Sequence, residues 1–220
     1  MDSSISNFLQ RHKVDGNNFT HVSMSTPKGK YLMNRQTFDD FWNLYMEKIK
    51  DNSCDIGIAE KPQQYLPILV DIDIKKILES SVIPQKLYNY DLIENIIKTY
   101  QSVMRTIIDN CTDKHLICLL LEKPLYTQKK NTTEYVKNGF HLHFPYVFMS
   151  KIDQEVHLLP RVKKIFEDQN TFKGIGSEDV DTIVDKSYTK IPWLLYGSKK
   201  DGAKDSYTVT KIYNSNCNEI

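Results

Sequence analysis

The apolar positions of this chain change period several times, and each change marks an element. Gln36 to Lys50 sets Phe38, Phe41, Trp42, Tyr45 and Ile49 three or four residues apart, which predicts an amphipathic helix packed on a core. Leu66 to Lys76 (LPILVDIDIKK) is rich in β-branched residues and predicts a buried strand. Asp91 to Asn110 carries Leu92, Ile93, Ile96, Ile97, Tyr100, Val103, Met104, Ile107 and Ile108 on one broad stripe, a second helix with Asn89 or Asp91 as its cap. His115 to Leu121 has the length of a short strand, Glu122 to Asn138 reads as a polar loop, and Gly139 to Phe148 (GFHLHFPYVF) alternates as a strand again. Ile152 to Gln169 reads as a helix with Val156, Leu159, Val162, Ile165 and Phe166 on its apolar side and Pro160 as a kink or boundary. Gly174 to Ser177 is a turn, Asp181 and Asp185 lie in a short β-prone stretch, and Ser206 to Tyr213 closes as a strand. Residues 1–29 show little periodicity before a strand expected at Tyr31 to Met33, and residues 51–67 read as a connection.

Composition narrows this little. The 220 residues, 40% hydrophobic and 26% charged, suit an ordinary soluble globular protein of one domain or two intimate lobes. Net charge of +1 gives no overall pull toward a polyanion, so any such site must come from local clustering. Cys54, Cys111, Cys118 and Cys217 are scattered without CxxC spacing, which offers neither a zinc knuckle nor a disulfide framework and points to a reducing compartment. The start has no apolar signal core and no run reaches the eighteen or so residues of a membrane span, so the expectation is an intracellular chain with no membrane partner. The N-x-T sequons at Asn18, Asn110 and Asn131 are then chance matches.

Candidate chemistry sits in the two strands. Asp71 and Asp73 are two residues apart, so in a strand they share a face while Val70, Ile72 and Ile74 anchor the other. Like charges this close call for a cation, and a hard divalent metal is the simplest one. An exposed edge strand whose acids pair with Lys75 and Lys76 is the plainer alternative. His141 and His143 repeat the arrangement against Phe140, Leu142 and Phe144; they suit donation to a triphosphate beside a carboxylate cluster, or a pair of hydrogen-bonded sheet histidines. The turn Gly197-Ser198-Lys199-Lys200 can hold phosphate oxygens, or be a solvated turn. Lys129, Lys130 and Lys137, in the expected loop, are candidates for a nucleic-acid backbone.

In order along the chain, the DxD strand (Ile68 to Lys75), the G-x-H strand (Gly139, Phe140, His141) and an hD step followed by a G-S-x-K turn (Val184, Asp185, then Gly197, Ser198, Lys200) resemble the archaeo-eukaryotic primase superfamily. Within it they look most like primase-polymerases and the primase-helicases of large nucleocytoplasmic DNA viruses. The resemblance implies an α+β fold: an RRM-like antiparallel catalytic sheet flanked by helices, with an N-terminal α/β lobe forming the other wall of the active-site cleft, all within a single catalytic domain of residues 1–220. It implies that Asp71, Asp73 and Asp185 hold two Mg²⁺ or Mn²⁺ ions, that His141 contacts nucleotide phosphates, and that Ser198 and Lys200, with Lys199 as near-equal, assist. His143 is an additional candidate. Relatives often carry Arg where this chain has Leu194, and the zinc module of some relatives is not expected here.

The implied activity is template-directed primer synthesis from nucleoside triphosphates on single-stranded DNA, with a helicase domain in cis or other replisome proteins as partners. If the chain is viral, the host cytoplasm is the expected place. Two other readings remain open from the residues: a metal-dependent phosphodiesterase or nuclease, and a non-catalytic nucleic-acid-binding module.

Overall fold

The computed structural model describes residues 4–25, 27–50, 56–79, 82–176 and 179–220. Cys54 and Ser177 lie outside these. In chain order the elements are α1 (Ile5–Arg11), β1 (Lys13–Val14), β2 (His21–Ser23), β3 (Gly29–Tyr31), α2 (Phe38–Lys50), β4 (Ile58–Glu60) and β5 (Tyr65–Ile77). Then come α3 (Tyr90–Ile107), β6 (Cys118–Glu122), β7 (Tyr126–Lys130), β8 (Thr133–Ser150), α4 (Lys151–Asp153), α5 (Leu159–Asp168), α6 (Val180–Ile183), β9 (Val184–Asp185), β10 (Trp193–Leu194) and β11 (Thr208–Tyr213). The chain gathers into two compact units, residues 1–62 with 190–206, and residues 63–189 with 207–220.

The first unit is an antiparallel sheet in the order β1-β3-β2-β4-β10 with α1 and α2 packed on it. Phe41 and Tyr45 of α2 are fully buried, one turn apart, and join Ile5, Phe8, Tyr31, Met33 and Ile58 in one core. α1 departs from the expectation of little periodicity: Ile5, Phe8 and Leu9 follow the i, i+3, i+4 rule within two turns, too short a window to stand out. β4, inside the expected connection, is likewise only three residues long.

The second unit is an antiparallel sheet in the order β11-β6-β8-β5-β9, with β7 also paired to β8. Val70, Ile72 and Ile74 of β5 and Phe140, Leu142 and Phe144 of β8 are buried on one face. α3 and α5 cover that face, with Tyr100 of α3 6.2 Å from Phe144 and 6.4 Å from Phe166 between ring centroids. Asn89 caps α3 by accepting a hydrogen bond from Leu92 N–H at 2.9 Å. The expected helix from Ile152 to Gln169 is interrupted by a π-helical turn, Gln154–Leu158, ahead of Pro160 near the start of α5, because proline offers no N–H to an unbroken ladder. Val156, placed on the apolar side by periodicity, is exposed as a result of that change of period.

The polar loop expected over Glu122 to Asn138 is in fact a β-ribbon. β7 pairs with β8 from Tyr126↔Lys137 to Lys130↔Thr133, around a turn at Asn131 with φ of 55°. Its residues are β-permissive, but all five of β7 are exposed, so the sequence carries no apolar alternation to announce the strand. Asp181, too, leaves its expected stretch and lies in the helical turn α6, just before β9.

Candidate active site

Antiparallel pairing puts directly opposed residues on the same face of a sheet. Asp71 stands opposite His141 of β8 on one side and opposite Asp185 of β9 on the other, while Asp73 faces Gly139. Three carboxylates and an imidazole, drawn from three strands that are far apart in sequence, therefore share the face turned away from α3 and α5. Lys137 lies on the same face, and its Nζ is 2.9 Å from Asp73 Oδ2. Burial works against the Lys137 charge, but the hydrogen bond and charge of Asp73 outweigh it and raise the pKa above the usual lysine range. His141 Nε2 is 3.5 Å from Asp71 Oδ1. Asp185 accepts hydrogen bonds from Ser187 N–H at 2.7 Å and from its hydroxyl at 2.8 Å.

Gly139 explains the glycine of the G-x-H strand. A Cβ built there would collide with the carbonyl oxygen of Ile72 and lie 3.2 Å from Asp73 Cα, so only glycine lets β8 approach β5 this closely beside the acids. His143 is placed differently from His141. It stands between Leu69 and Leu119 on the same face, and its Nε2 is buried without a hydrogen-bond partner among the described residues. Burial, helped by neighbouring His141, lowers its pKa to about 4, so it is a neutral ring at physiological pH and no charged donor.

Tyr207, not among the expected site residues, stacks on His141 with ring centroids 3.6 Å apart and planes inclined by 25°. Burial, followed by the charges of Asp71 and Asp73, pushes its hydroxyl well above the ordinary phenol range. Lys123 Nζ lies 4.5 Å from the same ring. Tyr207 lies within the strand expected over Ser206 to Tyr213, one residue ahead of β11 as formed, and only the cross-sheet arrangement reveals its contact with His141.

Ser198, Lys199 and Lys200 belong to the first unit. Ser198 is 4% exposed there. Its hydroxyl accepts from Ile58 N–H at 2.9 Å and pairs with Tyr45 Oη at 2.7 Å, while Tyr45 donates to Tyr196 O at 2.8 Å. The hydroxyl is thus engaged in holding the turn, where Gly197 takes φ of 80°. Lys199 N–H donates to Ile56 O, and Lys200 is at the half-exposed to exposed rim of this turn. Leu194 pairs with Ala59 in β10.

The donor set of the acid face suits a hard divalent cation: three carboxylates at adjacent register positions are oxygen ligands of the kind that Mg²⁺ or Mn²⁺ takes, with waters and phosphates completing the shell. As the side chains stand, no three His, Cys, Asp or Glu among the described residues are close enough to share one ion. Lys137, Ser187 and His141 instead compensate the acids, and a cation would exchange with them.

Over residues 20–213 the sequence matches the family described as the C962R protein N-terminal AEP domain. The chain belongs to this family. Its mixed α and β architecture, two antiparallel sheets flanked by helices, agrees with an AEP-type fold. The chain is 35% identical to the protein named "Putative helicase 184R" of Invertebrate iridescent virus 6 over 91% of its own length and 22% of the relative's. It is 30% identical to "Putative helicase 121R" of Invertebrate iridescent virus 3 over 90% of its length and 21% of the relative's. Identity to "Putative helicase L207/L206" of Acanthamoeba polyphaga mimivirus is 25% over 97% of the chain and 22% of the relative. The AEP chain therefore spans about a fifth of the length of the curated relatives it matches. No described helix is long and apolar enough to cross a membrane.

Proposed function

We propose that this AEP domain is a template-directed primase or primase-polymerase that joins nucleoside triphosphates on single-stranded DNA and releases pyrophosphate. The observation that carries the reading is the register of Asp71 between His141 and Asp185, with Asp73 and Gly139 one step along the same face. Asp71, Asp73 and Asp185 would hold divalent cations. When bound, two such ions lower the pKa of a primer 3′-hydroxyl and neutralise charge on the attacking and leaving oxygens.

The remaining work falls to the chain's own side chains. His141, held flat by Tyr207, is positioned to donate a hydrogen bond to a phosphate oxygen at the acid face. Gly139 lets β8 lie close against the Ile72 carbonyl, which keeps His141 and the acids of β5 in register. Lys137, released from Asp73, supplies positive charge beside the phosphates. In the first unit, Lys199 and Lys200 keep their side chains as phosphate candidates of their own turn, whereas Ser198 acts by holding that turn. Because the matched relatives carry helicase names and are several times longer, the domain would act in cis with a helicase at viral replication sites inside the infected cell.

The test is incubation with single-stranded DNA, labelled nucleotides and Mg²⁺ or Mn²⁺, with products sized on a gel. Asp71→Asn, Asp73→Asn and Asp185→Asn should each abolish incorporation while circular dichroism stays unchanged. Extension by the triple variant would overturn the assignment, and cleavage of the DNA without nucleotides would replace it with a phosphodiesterase.

A further inference from the structure

The ribbon formed by β7, β8 and the end of β5 has two unlike faces. Counting along the registers from Asp73↔Gly139, the positions Lys75↔Lys137↔Tyr126 and Ile77↔Tyr135↔Gln128 fall on the acid face, followed by Lys130↔Thr133. The reverse face carries Ile74, Lys76, Val136, Thr127, Glu134 and Lys129. Both tyrosines and three of the five lysines are thus on the side of the acids, and the one carboxylate of the ribbon itself is on the other.

Cations and rings alternate on this side. Lys75 Nζ lies 4.9 Å from the Tyr135 ring centroid. Lys123 Nζ lies 5.1 Å from Tyr126 and 4.5 Å from Tyr207, which is itself stacked on His141. A row of rings and ammonium groups therefore leads from the ribbon to the acids. Tyr126 is 42% exposed even with the Lys123 ammonium group over its ring.

We propose that this face of the ribbon is a track for single-stranded nucleic acid leading to the acid face. Successive unpaired bases stack on Tyr126 and Tyr135, and Lys75 and Lys130 neutralise the phosphates between them. A duplex would not satisfy the tyrosines, whose planar faces need bases that are free to unstack. That the strand is a template rests on the primase reading; that the ribbon binds it does not. Lys129, a candidate by composition, lies on the reverse face and is outside the track.

The test is fluorescence anisotropy of labelled oligo-dT with the full chain in EDTA, without nucleotide, so that catalysis plays no part. Tyr135→Ala and Tyr126→Ala should each weaken binding by about tenfold, as expected for the loss of one stacked base. Tyr135→Phe should keep wild-type affinity. Lys75→Ala should reduce the slope of log K against log salt by about 0.7, the value for one phosphate on a single strand. Lys76→Ala, on the reverse face, should change affinity less than twofold. Wild-type binding by both tyrosine variants, or an equal loss from Lys76→Ala and Lys75→Ala, would overturn the proposal. Loss of incorporation with oligo-dT binding intact would bear on the acids alone.

Discussion

Lys137 Nζ lies 2.9 Å from Asp73 Oδ2, where an ammonium group occupies part of the field that a divalent cation would use. Any metal at Asp73 must displace this lysine and then tolerate its charge nearby. Lys137→Met should therefore raise Mn²⁺ affinity by roughly tenfold, about 1.4 kcal/mol, as read from free Mn²⁺ by electron paramagnetic resonance. The same variant should incorporate nucleotides less well, because a cation beside the phosphates is gone. Mn²⁺ binding no tighter than wild type would mean that Asp73 is not a ligand.

Gly139 has no space for a side chain beside the Ile72 carbonyl. Gly139→Ala adds a methyl group where the Ile72 carbonyl already stands, so β8 must move from β5 at the point where His141, Asp71 and Asp73 are in register. Overpacking of this kind costs about 1–3 kcal/mol. A denaturant titration should show that loss in the midpoint with an unchanged slope. Incorporation should fall further than stability explains, since the shift is local to the acids.

How much of this was legible along the chain depended on whether a residue's role was set locally. Alternation in Leu66 to Lys76 placed Asp71 and Asp73 on one face without reference to anything distant, and α3 declared itself by an apolar stripe five turns long. β7 did not, because an edge strand exposed on both faces needs no apolar period. The paired histidines looked equivalent in sequence, yet His143 meets Leu69 and Leu119, and those partners are fixed only by sheet register. Ser198 looked like a phosphate ligand because its turn is Gly-Ser-Lys-Lys, but Tyr45, more than a hundred residues away, takes up its hydroxyl. Tyr207 lay in an expected strand, but nothing local tied its ring to His141.

Ser198 and Lys200 allow the structural role of the turn and its proposed phosphate contact to be tested apart. Ser198→Ala leaves Ile58 N–H buried without its acceptor and Tyr45 Oη without its neighbour. That costs about 1–3 kcal/mol by the usual price of a buried unsatisfied polar group. Thermal unfolding should show it in the absence of any nucleotide. Lys200→Ala should leave the melting temperature within about a degree, since exposed substitutions stay within about ±0.5 kcal/mol, and should raise KM for the nucleotide. A Ser198→Ala protein as stable as wild type would mean that the hydroxyl is free for a ligand.

Two buried histidines make folding depend on pH in the acid range. His143 lies between Leu69 and Leu119, and His21 sits with Phe38 and Phe41 at ring-centroid distances of 6.0 and 5.3 Å. Burial lowers both to about 4 from an ordinary 6.5. Between those values the unfolded chain binds protons that the folded chain does not, so folding is favoured above pH 6.5 and loses stability as pH falls toward 4. Each site contributes on the order of 3 kcal/mol across that window at 1.36 kcal/mol per unit. His143→Gln should flatten the pH dependence of the unfolding free energy between pH 6.5 and 4 by about one such increment, with stability at pH 7.5 lowered only by altered packing. An unchanged slope would show that the imidazole is protonated within the fold, in contact with the acid face rather than sealed between two leucines.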